Sequence, residues 1–178
     1  MLRSEAKEAI PHLQKLPTDK VWYRIPAQAL LLIDPQLPEA KAEFQRLVKD
    51  LKSKDPLENF QAIFVIEKLG ELGKPAVPAL IESLKVNDKY LNRKTSRTLA
   101  RLGAKEAIPI FIDALQDKAD PKSKLDKASA AEVLGQMGAL AEEALPHLEG
   151  LSKNEDTEIR KAAMEAASQI KKALEQGK

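Results

Sequence analysis

Apolar side chains recur at spacings of three and four residues along nearly the whole chain. Residues 4–16 set Ala6, Ala9, Ile10, Leu13 and Leu16 on one face, with Lys7, Glu8, Gln14 and Lys15 elsewhere. Residues 39–52 repeat this with Phe44, Leu47, Val48 and Leu51, residues 76–86 with Leu80, Ile81 and Leu84, and residues 155–175 with Ile159, Ala163, Ala166, Ala167, Ile170 and Leu174. Each reads as a helix with one buried stripe. The segment 57–69 is different, because Phe60, Ile63, Phe64, Val65 and Ile66 leave little of its circumference polar, which predicts the most enclosed helix of the chain. A helix running from Val21 and Trp22 to Ile33 contains Pro26, which removes one backbone bond and predicts a bend. Nothing alternates with the period of a strand.

Glycine and proline punctuate the helices in a recurring order. Leu69-Gly-Glu-Leu-Gly-Lys-Pro-Ala-Val-Pro-Ala-Leu-Ile-Glu-Ser-Leu84 ends one helix, turns and starts the next. The order returns at Leu99–Leu115, at Leu134–Gly138 with Ala144–Leu148, and more weakly at Ala9–Leu13 and Ala42–Leu51, where Gln45 stands in place of proline. Ala9, Glu43, Ala76, Ala107 and Ala144 are then equivalent, at spacings of 34, 33, 31 and 37 residues. A fixed period of this size predicts a stacked helical array, with the widest spacing absorbed by the connection Asp117–Leu125.

These residues resemble HEAT repeats, and more narrowly the short bacterial kind called phycobilisome-lyase HEAT-like repeats. That pattern is an alanine-rich first helix ending in Leu-Gly-x-Leu-Gly, then Ala-x-Pro-x-Leu and an apolar second helix. Positions 57–115 match it best, while Asp34, Gln45, Ser168 and Lys171 depart from it. The resemblance implies an all-α fold: a right-handed, ARM-type α-solenoid of antiparallel helix pairs in one domain, 1–178. The pairs fall at about 18–52, 55–86, 88–117 and 123–152, with half-repeats at 4–16 and 155–175. It speaks for architecture, since the repeat occurs in scaffolds, adaptors and a few enzymes.

Composition narrows the function classes. Lys and Arg total 29 against 27 Asp and Glu, a net charge of +2 with the signs interleaved, so neither nucleic acid nor an anionic membrane is called for. The absence of cysteine removes disulfides and thiolate metal sites. No apolar run reaches membrane-spanning length, and a cytoplasmic location is expected.

No constellation of catalytic residues, cofactor loop or metal cluster stands out, so the chain is expected not to be an enzyme and to use no cofactor. The two histidines, His12 and His147, lie four repeats apart, too far to share a metal across helices spaced about 8–10 Å. The absence of paired His-Glu dyads also separates the chain from HEAT-repeat hydroxylases. Bilin lyases share its period. DNA glycosylases built of similar repeats use a basic groove with an aromatic residue, for which Trp22, Tyr23, Arg24 and Lys20 are the only candidates, and packing explains Trp22 more simply. The basic spots at Asn92-Arg93-Lys94 and Lys122–Lys127 read as solvated helix starts.

What remains is surface. The second helices of such an array offer a continuous strip, here His12, Lys15, Arg46, Lys49, Asp50, Ala79, Glu82, Ser83, Ile110, Asp113, Ala114, His147 and Glu149. The expected function is a non-catalytic scaffold or adaptor that binds a protein or peptide partner there, as a monomer or a module of a longer array. The alternative is an enzymatic or nucleic-acid-binding relative of the lyase or glycosylase type. A Trp22 exposed among clustered cations would favour it.

Overall fold

The computed structural model describes residues 6–16, 24–85, 88–118 and 125–177. All regular structure among them is helical. Among the described residues run α1 (Ile10–Leu13), α2 (Arg24–Ile33), α3 (Pro38–Asp50), α4 (Pro56–Leu69), α5 (Val77–Ser83), α6 (Lys89–Arg101), α7 (Ile108–Leu115), α8 (Lys127–Met137), α9 (Leu145–Gly150) and α10 (Thr157–Gln176). Contacts group them into two compact units, Met1–Gly73 and Lys74–Lys178.

In the first unit α1 packs on α2, α2 on α3 and α3 on α4, around Leu30, Leu47, Leu51, Ile63 and Ile66. In the second, α5 packs on α6, α7 on α8 and α9 on α10, while the first-type helices α6, α8 and α10 lie against one another in sequence. Leu80, Leu99, Phe111, Leu134, Leu148 and Ile170 fill that core. Most of these helices are too short to be stable alone, so burial of the stripe by neighbours supplies most of their stability.

Proline and aspartate set the starts. Pro78, Pro109 and Pro146 stand in the first turns of α5, α7 and α9, where a missing N–H breaks no bond. Ala76, Ala107 and Ala144, just before those helices, are fully buried. α3 starts earlier in its repeat, at Pro38, which turns Glu43 into a mid-helix residue; it is buried and hydrogen-bonded by Gln28 at 3.4 Å. The first-type helices α4, α6, α8 and α10 are capped by Asp55, Asp88, Asp126 and Asp156, each accepting backbone N–H groups of the first turn. The start of the helix expected from Val21 lies outside the described residues, and the bend expected at Pro26 goes untested with it.

The helix ends correct two readings of the glycine pattern. Gly70 and Gly138, at φ +54° and +58°, each terminate a helix and lead into a seven-residue 3-10 segment, and Gly103, at +64°, ends α6. Their motif partners do other work. A Cβ on Gly73 would stand 2.5 Å from the Ile66 carbonyl oxygen, and one on Gly135 would stand 2.9 Å from the Ala166 Cα, so both glycines permit close backbone approach. The expectation for α4 is also corrected: Leu57 is 62% exposed and Phe64 45%, with the Lys68 ammonium 5.5 Å from the Phe64 ring centre. A cation over an aromatic face makes an exposed ring tolerable, and only Asn59, Ala62, Ile63, Ile66 and Leu69 of α4 are buried. Tyr90, in the first turn of α6, is 68% exposed.

Two outcomes follow. Gly135→Ala should destabilise by about 1–3 kcal/mol through overpacking against α10, whereas Gly150→Ala, in helical backbone with open space around it, should stabilise by about 0.4–1 kcal/mol; urea unfolding of both variants measures the contrast. Burial pushes the Asp126 carboxyl up, but the Ser129 backbone N–H, the Ser129 hydroxyl and Lys89 together hold it below the usual carboxylate range. A lowered folded value means stability that is present above the unfolded value and lost as pH falls through the folded one. Asp126→Ala should therefore cost about 1 kcal/mol at neutral pH, a gap that narrows as the pH drops below about 4, measured by denaturant unfolding at the two pH values.

Candidate functional site

The strip expected from the sequence is best described unit by unit. In the first unit His12 and Lys15, on and just after α1, are exposed, as are Arg46 and Lys49 on α3, with Asp50 half-buried beside them. These cations sit at positions that continue the buried stripe of α3 only by its opposite face, since Leu47 and Leu51 point into the core.

In the second unit Glu82 on α5 and Asp113 on α7 are exposed, while Ala79 and Ile110 are half-buried. Glu82 meets Lys85 at 3.4 Å on the same turn. Two expected members turn inward: Ser83 is 5% exposed and donates its hydroxyl to the Leu80 carbonyl at 2.8 Å, and Ala114 is 3% exposed. One helical step from Glu82 or Asp113 crosses from the solvent face to the core, so neither residue presents anything to a partner. Gln116 takes a place the pattern overlooked. Its amide lies 2.8 Å from His147 Nδ1, linking the end of α7 to α9. Glu149, on α9, is bridged to Lys171 of α10 at 2.7 Å.

The basic spots on the first-type helices are tied down. Arg97 and Arg93 of α6 converge on Glu132 of α8 at 3.4 and 4.0 Å, and Lys89 meets Asp126 at 3.0 Å. Asn92 is fully buried, so the triplet beginning there is no solvated start. It lies beside Thr95 and Ser96, buried side chains of α6 that sequence periodicity alone did not mark. Lys127 reaches Asp117 at 2.6 Å. Positive charge shared with carboxylates in this way does not make the clustered cation surface that a phosphate backbone requires. Trp22, Tyr23 and Lys20, with the side chain of Arg24, lie outside the described residues, as do residues 122–124.

Two open grooves border α10. One, of about 420 Å³, is lined by Leu148, Met164, Ala167, Ser168, Lys171 and Lys172 among others. The second, of about 350 Å³, lies against α8 and includes Glu132, Gln136, Glu158, Lys161, Glu165 and Gln169. Neither joins a nucleophile to a base. Among the described residues no group of three or more His, Asp or Glu side chains is placed to hold a metal, and no helix is long and apolar enough to cross a membrane.

Comparison with known proteins bears on what such a surface serves. A family model described as "PBS lyase HEAT-like repeat" matches residues 95–117. The phycocyanobilin lyase subunit alpha of Picosynechococcus sp. is 36% identical over 111 residues, which cover 57% of this chain and 41% of that protein. The solved complex of CpcE and CpcF of phycocyanin lyase from Nostoc sp. includes a chain that superposes with a TM-score of 0.57 at 24% identity, covering 94% of this chain and 65% of that one. The chain thus spans less than two thirds of the length of each. The structural likeness shows the fold, all-α and of the α-solenoid class. The expectation that the chain is not an enzyme is overturned by these relatives, which are named as lyases. By its repeat, its helical architecture and these likenesses, the chain is similar to HEAT-repeat proteins of the phycobilisome-lyase type, with the family model itself confined to residues 95–117.

Proposed function

We propose that the chain acts as a lyase-type subunit, working in complex with a second protein chain on a linear tetrapyrrole of the phycocyanobilin kind. The observation that carries this reading is the 36% identity to a phycocyanobilin lyase subunit over 111 residues. The neighbouring fold, solved as a complex of two different chains, supports a protein partner. On this reading the exposed residues of the second helices receive that partner: His12, Lys15, Arg46 and Lys49 in the first unit and, in the second, Glu82, Asp113 and Glu149 with the half-buried His147. The half-buried Ala79 and Ile110 give the second-unit portion a small apolar centre between charged flanks, the layout of an interface core and rim. Arg46 and Lys49 are the cations suited to the carboxylates that a bilin carries. The grooves in the described residues are open, so the enclosed part of a bilin site is completed by the partner.

The test is reconstitution with CpcF of the Nostoc complex, phycocyanobilin and unpigmented phycocyanin. The expected result is a chain that co-purifies with CpcF and supports covalent pigmentation, read as visible absorbance that travels with phycocyanin in a denaturing gel. The combined variant Arg46→Glu, Glu82→Lys and Asp113→Lys should weaken the complex by roughly tenfold or more while leaving the melting temperature unchanged. Unchanged binding by that variant rejects the strip. Absence of both complex and pigmentation with the wild-type chain rejects the lyase reading.

A further inference from the structure

Helix α10 carries a charge pattern that is its own inverse about one residue. Counting from Ser168, position −7 is Lys161 and +7 is Glu175, −3 is Glu165 and +3 is Lys171, and −4 is Met164 and +4 is Lys172. All of these side chains are exposed, and the spacings of three, four and seven keep them on one face of the helix. We propose that this face is a self-association surface, on which a second copy of the chain lays its own α10 antiparallel, with the two-fold axis passing at Ser168.

In an antiparallel pair with that axis, residues whose numbers sum to the same value face each other. Lys161 meets Glu175 of the second copy, Glu165 meets Lys171, and the aliphatic stem of Lys172 covers Met164, each contact occurring twice by symmetry. Charges that oppose in every pair are what an isologous interface requires, and an arbitrary surface helix has no reason to supply them. The bland explanation is a set of i,i+4 pairs within the helix, Lys161 with Glu165 and Lys171 with Glu175. The structure forms neither: Lys171 turns to Glu149 at 2.7 Å, and Glu165 accepts from Gln169 at 3.3 Å. Lys161 and Glu175 have no ion partner among the described residues, and they are the two that the second copy brings together.

Met164 adds the apolar element, at 57% exposure the most exposed large apolar side chain of α10. The opposite side of the helix is already committed, since Ala163, Ala166, Ala167 and Ile170 are buried against α8 and α9. Where α8 receives α10 it offers Gly135, allowing close approach. The outer face of α10 instead carries Met164 and Lys171, so a second copy sits at the ordinary helix spacing of about 8–10 Å, within reach of lysine and glutamate side chains. A single helix face buries less than the roughly 800 Å² per partner of a standard interface, so the dimer is weak and reversible. It covers side chains that line both grooves beside α10, so a ligand held in either groove competes with it, and it departs from the monomer expected from the sequence.

Sedimentation equilibrium of the full chain from about 10 μM to about 1 mM tests it at a scale suited to weak contacts. The expected result is a monomer–dimer equilibrium that salt weakens. Lys161→Glu alone and Glu175→Lys alone should each raise the dimer dissociation constant roughly tenfold, because each breaks two symmetric pairs and leaves like charges opposed. The double variant should return to within about threefold of wild type, the signature of direct coupling. Met164→Glu should leave only monomer. Circular dichroism melts serve as the folding control, since all three sites are exposed. A wild-type chain that stays monomeric across the range overturns the proposal. So do single reversals without effect, or a double variant no tighter than its parents.

Discussion

Everything in the second unit depends on how near two first-type helices can come. At Gly135 the backbone of α8 meets α10 so closely that even one added methyl carbon would stand 2.9 Å from the Ala166 Cα. The alanines at 163, 166 and 167 are the other half of that contact, fully or nearly fully buried. Small side chains let backbones approach, close backbones bury the stripe of each short helix, and burial keeps helices of six to twenty residues folded. Large apolar residues such as Phe111, Leu134 and Ile170 fill the rest of that core, each fully buried.

The two faces of the molecule handle charge differently. On the first-type helices, ion pairs run from one repeat to the next, with Lys89 to Asp126 and both Arg93 and Arg97 to Glu132. Each is exposed and contributes little to stability alone. Their effect is to neutralise the densest cations of the sequence locally. On the second-type helices of the second unit, Asp113 and Glu82 remain exposed beside half-buried Ala79 and Ile110. Among the described residues Glu82 is answered there only within its own turn, by Lys85 at 3.4 Å.

Much of the fold was legible because the repeat writes each boundary several times. Aspartate caps, first-turn prolines and terminal glycines recur, and periodicity located Leu47, Leu80 and Ile170 in the core correctly. Where reading failed, two physical requirements shared one residue type. Glycine ends a helix at Gly70 and Gly138 but permits contact at Gly73 and Gly135, and a motif cannot separate the two uses. Apolar residues on α4 suggested enclosure, yet Phe64 is exposed beneath a lysine. Asn92, Thr95 and Ser96 were invisible for the opposite reason, being polar residues in a buried interface. The site was less legible still. Ser83 and Ala114 fell one step around the helix from where they were placed, and Gln116 entered through a hydrogen bond that no spacing rule specifies.

The connection after α7 is held at its ends by one ionic contact, Lys127 to Asp117 at 2.6 Å, with Asp117 itself at φ +59°. Leu125 is buried and Asp126 caps α8, so the far end is anchored independently of the span between. Length along that span is therefore decoupled from the helices on either side. Evolution, or an engineer, is free to splice a recognition peptide or a label between the two anchors while the array beneath keeps its registration.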